Sequence, residues 1–221
     1  MELRLLSSAE ERRQFAHNLV ETRLSKGAGF SETQRSHVGE VHLAFGRLYG
    51  LFDEHSAEAD EMLAGFAAHD LGSFPQSYPR PDLMHLPPEA VVEVGELWAR
   101  AAGSARLARQ AAQILVGQLQ VQAVLAYPIL KPWNLSLAYK EDFECAGEPI
   151  EWPYIRTLGG ERMYVQAMVS QGEKLARMVR EAGQWGFQAN EDHSRITFMS
   201  PYRICVRPAR REKLPVQTAA A

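Results

Sequence analysis

Hydrophobic positions change their spacing repeatedly along the chain, and each change marks an element. Leu3-Arg4-Leu5-Leu6 predicts a short first strand. Ser8-x-x-Glu11 has the form of a capping box, in which two side chains satisfy free amides at a helix start. Phe15, Leu19 and Val20 follow at helical spacing, and Gly27 and Gly29 mark the stop. The polar stretch 30–40 is ambiguous, with a second short helix as one reading. Two strand-like runs, His42 to Asp53 and Glu61 to Leu71, flank a polar segment and predict a hairpin. Residues 72–88 carry five prolines, Pro75, Pro79, Pro81, Pro87 and Pro88, and form a loop. That loop is either a substrate-binding lid or a rigid connector.

The texture changes at Ala90. Residues 90–99 read as a strand, a glycine-centred turn covers Arg100 to Gly103, and a long helix runs from Ser104 to about Gln120. On that helix Arg106, Arg109, Gln110, Gln113 and Gln120 form one stripe. Leu107, Ala108, Ala111, Ala112, Ile114, Leu115 and Leu119 cover the rest, as on a helix lying against a sheet. Val121 to Leu130 then predicts a buried strand, and the strand–helix–strand order predicts a right-handed crossover and a parallel pair. A short helix is expected over Asn134–Phe143, with strands near Pro149–Ile155 and Met163–Val169. Ser170-x-x-Glu173 reads as another capping box, opening a helix whose Leu175, Met178, Val179 and Ala182 share a face up to Gly183. Gly186 to Phe198 predicts a last hairpin, and the polar tail 207–221 is expected to be disordered. Residues 1–206 are expected to form one domain, because 221 residues suit one core and no linker or repeat divides them.

Composition narrows the function classes. A formal charge of −3 removes the bulk-electrostatic case for nucleic acid or an anionic membrane. Cys145 and Cys205 are far apart and without metal-ligand spacing, so reduced thiols are expected rather than a disulfide scaffold or a metal site. The start of the chain has no apolar signal region, and the longest apolar run, interrupted by Gln122 and Pro128, is too short to span a bilayer. A cytoplasmic protein is expected. Asn190-Glu191-Asp192-His193-Ser194-Arg195 holds metal-binding residue types, but packed as a solvated hairpin tip.

Chemistry concentrates at Trp98-Ala99-Arg100-Ala101-Ala102-Gly103-Ser104-Ala105. A strand there meets a tight turn whose amides open a helix, a natural anion site. Gly103 allows close approach of a phosphate, Ser104 can cap or donate, Ala105 keeps the start unobstructed, and Arg100 and Arg106 can reach phosphate oxygens. A tight turn that binds nothing is the alternative. Residues 100–105 resemble the Arg/Gln-x-x-Gly-x-Gly/Ala signature that cradles the coenzyme A pyrophosphate in GNAT N-acyltransferases. Leu137-Ala138-Tyr139 to Phe143 and Gly147 is similar to that family's Leu-Tyr-x-x-x-Gly-Phe-x-x-x-Gly segment, with one residue fewer between tyrosine and phenylalanine and with Asp142 in a glycine position. Asn134 lies near a frequent asparagine of the family.

The resemblance covers nearly the whole chain and implies a mixed α/β fold: a central twisted mixed β-sheet flanked by helices, here with a C-terminal helix–hairpin extension. It implies that two central strands splay apart around the pantetheine arm, held by backbone groups at Leu97, Trp98 and Ala99. It implies acyl transfer, from acetyl-CoA, a longer acyl-CoA or an acyl-carrier protein, to an amine of a small molecule or amino acid by direct attack, without a metal. In the family the tyrosine protonates the leaving thiolate, which carries that role to Tyr139; packing on the core is the other reading. Glu93 and Glu96 are the nearest acids to the expected thioester and are the candidate bases. Their odd spacing places them on opposite faces of a regular strand, and Glu96 is favoured for its position. Sheet-face salt bridges are the other reading of both. Trp98 and Trp133 either line an acyl pocket or fill the core. The branch resembling acyl-homoserine-lactone and N-acyl amino acid synthases is the softer match within the family, and a homodimer is compatible with it. A non-catalytic module that binds acyl-CoA or a protein partner is the competing function.

Overall fold

The computed structural model describes residues 1–25, 28–29, 47–53, 61–71, 83, 85–100, 104–128, 141–184, 186–192 and 194–198. The expected helices at 30–40 and over most of 134–143, nearly all of the proline-rich loop, the turn 101–103 and the tail 207–221 lie outside them. Two sheets and three α-helices are described. Strand β1 (Glu2–Leu5) leads into helix α1 (Ala9–Leu24), then β2 (Ala28–Gly29), β3 (Arg47–Phe52), β4 (Met62–Asp70) and β5 (Val91–Ala99). Helix α2 (Ser104–Leu119), β6 (Ala123–Ala126), β7 (Glu144–Cys145), β8 (Ile150–Thr157), β9 (Arg162–Val165), β10 (Met168–Gln171), helix α3 (Gly172–Gly183), β11 (Phe187–Ala189) and β12 (Arg195–Phe198) complete the order. The main sheet runs β11-β12-β1-β3-β4-β5-β6-β10-β7, and a second sheet runs β2-β8-β9. Every described pairing in the main sheet is antiparallel except β5 with β6.

Helix α1 starts where its capping box predicts. The Ser8 hydroxyl accepts from the Glu11 amide at 3.1 Å, and the Glu11 carboxylate accepts from the Ser8 amide at 3.2 Å. Its apolar stripe packs on one face of the sheet, where Phe15 and Leu19 join Leu48, Ala67 and Trp98. The other face carries Tyr49, Phe66, Ala68, Val92 and Val124 and is covered by α2 and α3 through Ala108, Ala111, Leu115, Leu175 and Met178. Alternation along β3, β4 and β5 divides the residues between these two layers. Gly65 is required by the first layer: a Cβ there would come within 2.7 Å of Phe15 and 2.9 Å of the Trp98 indole nitrogen.

Three expectations are corrected. The run Met163–Val169 is two strands in different sheets, β9 pairing with β8 and β10 with β6. Ser170 does not cap α3; it is fully buried in the β10 ladder opposite Val124, while Gln171 occupies the cap position without a side-chain bond. Gly172, at φ 56°, makes the turn from strand to helix that a side chain would resist. Helix α1 ends at Ser25, before Gly27.

Candidate active site

The site is built on an irregularity in β5. Ala67 pairs with Gly95 and Gly65 with Trp98, so three steps on β5 answer two on β4. The extra residue is a β-bulge. Glu96 absorbs it with φ 52°, a left-handed conformation rare outside glycine. The bulge resets the alternation, and this overturns the expectation that Glu93 and Glu96 point to opposite faces. Glu93 is the register partner of His69 and shares its face with Val91 and Gly95, the face on which α1 packs. Glu96 reaches the same side and forms an ion pair with Arg23 of α1. That pair is well shielded, with side-chain exposures of 10% for Arg23 and 15% for Glu96.

A Cβ built on Gly95 would meet no described atom within 4 Å. On this side of β5, Glu93 with its register partner His69 precedes Gly95 and the Glu96–Arg23 pair follows it. Buried apolar clusters flank it, with Trp98, Phe15 and Ala67 on one side and Val91, Leu125 and Ala123 on the other.

At the same level β5 leaves β6. Their parallel ladder pairs Val91 with Ala123, Val92 with Val124 and Glu93 with Leu125, and β5 continues through Val94 to Ala99 beyond the last pair. Among the described residues, no ladder pair follows on the β6 side of β5 past Glu93. Arg100 then ends the strand, its amide donating to the Leu63 carbonyl at 3.0 Å. An open cavity of about 850 Å³ between the end of α2 and the start of α3 lies near the opposite ends of these strands, beside Leu86 and Val121, and is separate from this site.

The architecture has counterparts of known activity. FeeM, an N-acyl amino acid synthase from uncultured soil microbes, matches with a TM-score of 0.54 over 83% of this chain and 98% of its own, at 11% identity. The spermidine N-acetyltransferase of Vibrio cholerae, in complex with CoA and spermine, matches with a TM-score of 0.50 over 79% of this chain and 96% of its own, at 16% identity. The chain has the GNAT fold. No family model and no curated protein matches the sequence.

On this GNAT scaffold the predicted site residues separate into groups. Leu97 and Ala99 pack against the α2 layer, and Trp98 is 2% exposed in the α1 layer, edge-on to Phe15 with ring centroids 5.7 Å apart. The Trp98 side chain is therefore core, as one of its two readings held. Arg100 is exposed and pairs with Glu61 at 3.0 Å. Ser104 and Ala105 begin α2 and Arg106 is exposed on its first turn, so the strand–turn–helix order is as expected. Gly103, Trp133, Asn134 and Tyr139 lie outside the described residues. Asp142, in the family's glycine position, is buried and holds Arg177 of α3 at 3.3 Å. At the β11–β12 tip, the Ser194 hydroxyl and the Ser194 amide, which donates at 3.0 Å, hold the Asp192 carboxyl below the usual range. Among the described residues no helix is long and apolar enough to cross a membrane, and no group of three or more His, Cys, Asp or Glu could hold a metal.

Two residues of the site escaped the sequence reading. Arg23 lies four positions after Leu19 and eight after Phe15, on the buried stripe of α1, where a cation requires a partner. His69 is 3% exposed and follows seven small or apolar residues in its strand, Met62 to Ala68. Each is a polar residue on an apolar face, and that was the available signal.

Proposed function

We propose that the chain is an N-acyltransferase whose donor is the thioester of CoA or of an acyl-carrier protein and whose acceptor is the amine of a small molecule. The pantetheine arm, common to both donors, enters where β5 leaves β6, and its amides bond to the β5 backbone between Val94 and Ala99. The diphosphate of CoA lies at the start of α2, held by residues 100–106. The acceptor ammonium docks over Gly95 from the α1 side and gives a proton to Glu93. The neutral nitrogen then attacks the thioester carbonyl, an amide bond forms and the carbon–sulfur bond breaks. Tyr139 protonates the departing thiolate, and the second proton shed by the nitrogen as it becomes an amide restores the phenol.

Glu93 is preferred as the base because Arg23 already occupies Glu96. A carboxylate committed to a shielded guanidinium is a poor proton acceptor, so Glu96 shapes the cleft instead. The observation that supports the reading is the coincidence, at one level of β5, of the last described pair with β6 and the bulge that turns Glu96 to the face of Glu93.

The test has two stages. Acetyl-CoA, longer acyl-CoAs and free CoA are screened for a rise in melting temperature; a ligand at a hundred times its Kd contributes about 2.7 kcal/mol. Thiol release is then followed with panels of amines. Glu93→Gln is expected to keep the donor-induced shift and to lose about 10²-fold or more in kcat. Donor binding without turnover of any amine favours the non-catalytic module. The absence of any shift with a CoA, and of turnover with an acyl-carrier protein, overturns the proposal.

A further inference from the structure

We propose that Gln166 is a positioning residue for the donor site, holding the end of β6 where the pantetheine arm enters. This role rests on the transferase reading above, whereas the bonds that define it do not. Gln166 lies between β9 and β10, where the chain passes from the second sheet to the main one. Its backbone amide donates to the Pro128 carbonyl at 3.0 Å, in the register of β10 with β6 but beyond their last pair, Met168 with Ala126. Its side-chain amide donates to the Gly147 carbonyl and to the Ala167 carbonyl, each at 3.0 Å. The Ala167 carbonyl also accepts from the Ala146 amide at 2.9 Å, just past the last pair of β10 with β7, Met168 with Cys145. One residue, 7% exposed, thus ties together the continuations of both neighbours of β10.

β6 pairs with β5 as far as Leu125, the partner of Glu93, and with β10 as far as Ala126. The Gln166–Pro128 bond then carries β6 along the line of β10 for two residues more. Pro128 has no N–H of its own, so at that residue only the carbonyl can join a ladder. A glutamine amide suits the junction because it is a peptide-like group on a tether: its two N–H donors reach backbone carbonyls at a point where the chain itself is leaving the sheet. Without them the Gly147 carbonyl loses a buried donor, which is unfavourable, and the backbone of residue 166 loses its anchor beside Pro128. On the proposed entry path the donor's arm passes between β5 and this end of β6. Its apparent affinity then scales with the fraction of molecules in which β6 stands along β10. A bound donor restores that position, so the effect falls on donor affinity and leaves turnover alone.

Gln166→Met keeps the length of the side chain and removes both donors. In calorimetric titration with free CoA this variant is expected to bind about tenfold more weakly than wild type. With an acyl-CoA and an amine that is turned over, the donor KM should rise by the same factor while kcat stays within about twofold. Gln166→His, whose Nε2–H falls near the place of the lost amide nitrogen, is expected to recover most of the affinity. Where wild type binds no CoA, the same KM comparison is made with an acyl-carrier protein. Amide exchange needs no ligand: at residues 166 and 146 it should quicken about tenfold in Gln166→Met and keep its wild-type rate in α1. Unchanged donor affinity in Gln166→Met, or equal losses in the Met and His variants, overturns the positioning role. Unchanged exchange at residues 166 and 146 overturns the tie itself. If Gln166→Met does not fold, native-state exchange of the wild type decides, and Gln166 and Ala146 amides that open with different free energies overturn the proposal. Wild-type protein that uses neither donor defeats the transferase reading instead, and exchange alone then decides whether the tie exists.

Discussion

Substituting Glu96 tests the bulge through a reversal of the usual glycine effect. In a regular strand glycine is less stable than alanine by about 0.5–1 kcal/mol, because its backbone loses more freedom on folding. Glu96 has φ 52°, where a Cβ costs about 1–2 kcal/mol and glycine costs nothing. The two terms oppose each other, and the net favours Glu96→Gly over Glu96→Ala by roughly 0.5–1 kcal/mol. Both variants lose the ion pair and leave Arg23 shielded without its carboxylate. Breaking a buried pair costs about 3–5 kcal/mol, and with 10% and 15% exposure of the two side chains the low end applies. Glu96→Ala is therefore expected to lie about 3 kcal/mol below wild type and Glu96→Gly about 2–2.5 kcal/mol below it. Glycine should melt about 2–3 °C above alanine, since 1 kcal/mol moves a domain of this size by about 2–4 °C. Urea and thermal unfolding measure both gaps. Gly95→Ala is the control: its Cβ meets nothing within 4 Å, so it should be neutral or slightly stabilising. If Glu96→Ala equals or exceeds Glu96→Gly in stability, residue 96 is not left-handed, and the bulge that gathers the site is wrong.

The remaining predictions concern the frame of the site. Gly65→Ala places a methyl 2.7 Å from Phe15 and 2.9 Å from the Trp98 indole nitrogen, and is expected to cost about 1–3 kcal/mol by urea unfolding as the aromatic pair is displaced. Ser8→Ala removes the hydroxyl that caps the Glu11 amide at 3.1 Å and is expected to cost about 1 kcal/mol. In that variant amide exchange should quicken in the first turn of α1 and remain unchanged in α3.

Most of the fold was legible because local rules and tertiary packing agree along it. The capping box at Ser8, the apolar face of α2 and the hairpin β3–β4 each carry a signal of their own length scale, and each appears at its predicted place. Legibility failed where a short apolar run was shared by two elements. Met163–Val169 reads as one strand by composition, but its middle, Gln166, donates its amide to the Pro128 carbonyl at 3.0 Å and leaves neither ladder continuous. Ser170-x-x-Glu173 failed for a related reason: a cap motif is a local preference, and the β10 ladder outcompetes it. The site was legible in its residue types and not in its geometry. Glu93 and Glu96 could be named from sequence, but the two-residue period that separates their faces assumes an uninterrupted strand.

The bulge falls where two features meet, the end of the described β5–β6 ladder and the gathering of two carboxylates on one face. An extra residue bends its strand and increases the local right-handed twist. On β5 it falls at Gly95–Glu96, two positions past the last pair with β6 at Glu93 and Leu125. The partner on the other side, β4, continues to pair through Trp98 and Ala99. Twist added there carries β5 with β4, and no described pair with β6 follows it. The same inserted residue shifts the side-chain phase, so Glu96 turns to the α1 layer instead of packing against α2. One residue thus coincides with the end of the described β5–β6 pairing and brings a second carboxylate to the α1 face. Arg23 of α1 meets that carboxylate in the shielded layer, where a glutamate requires a cation.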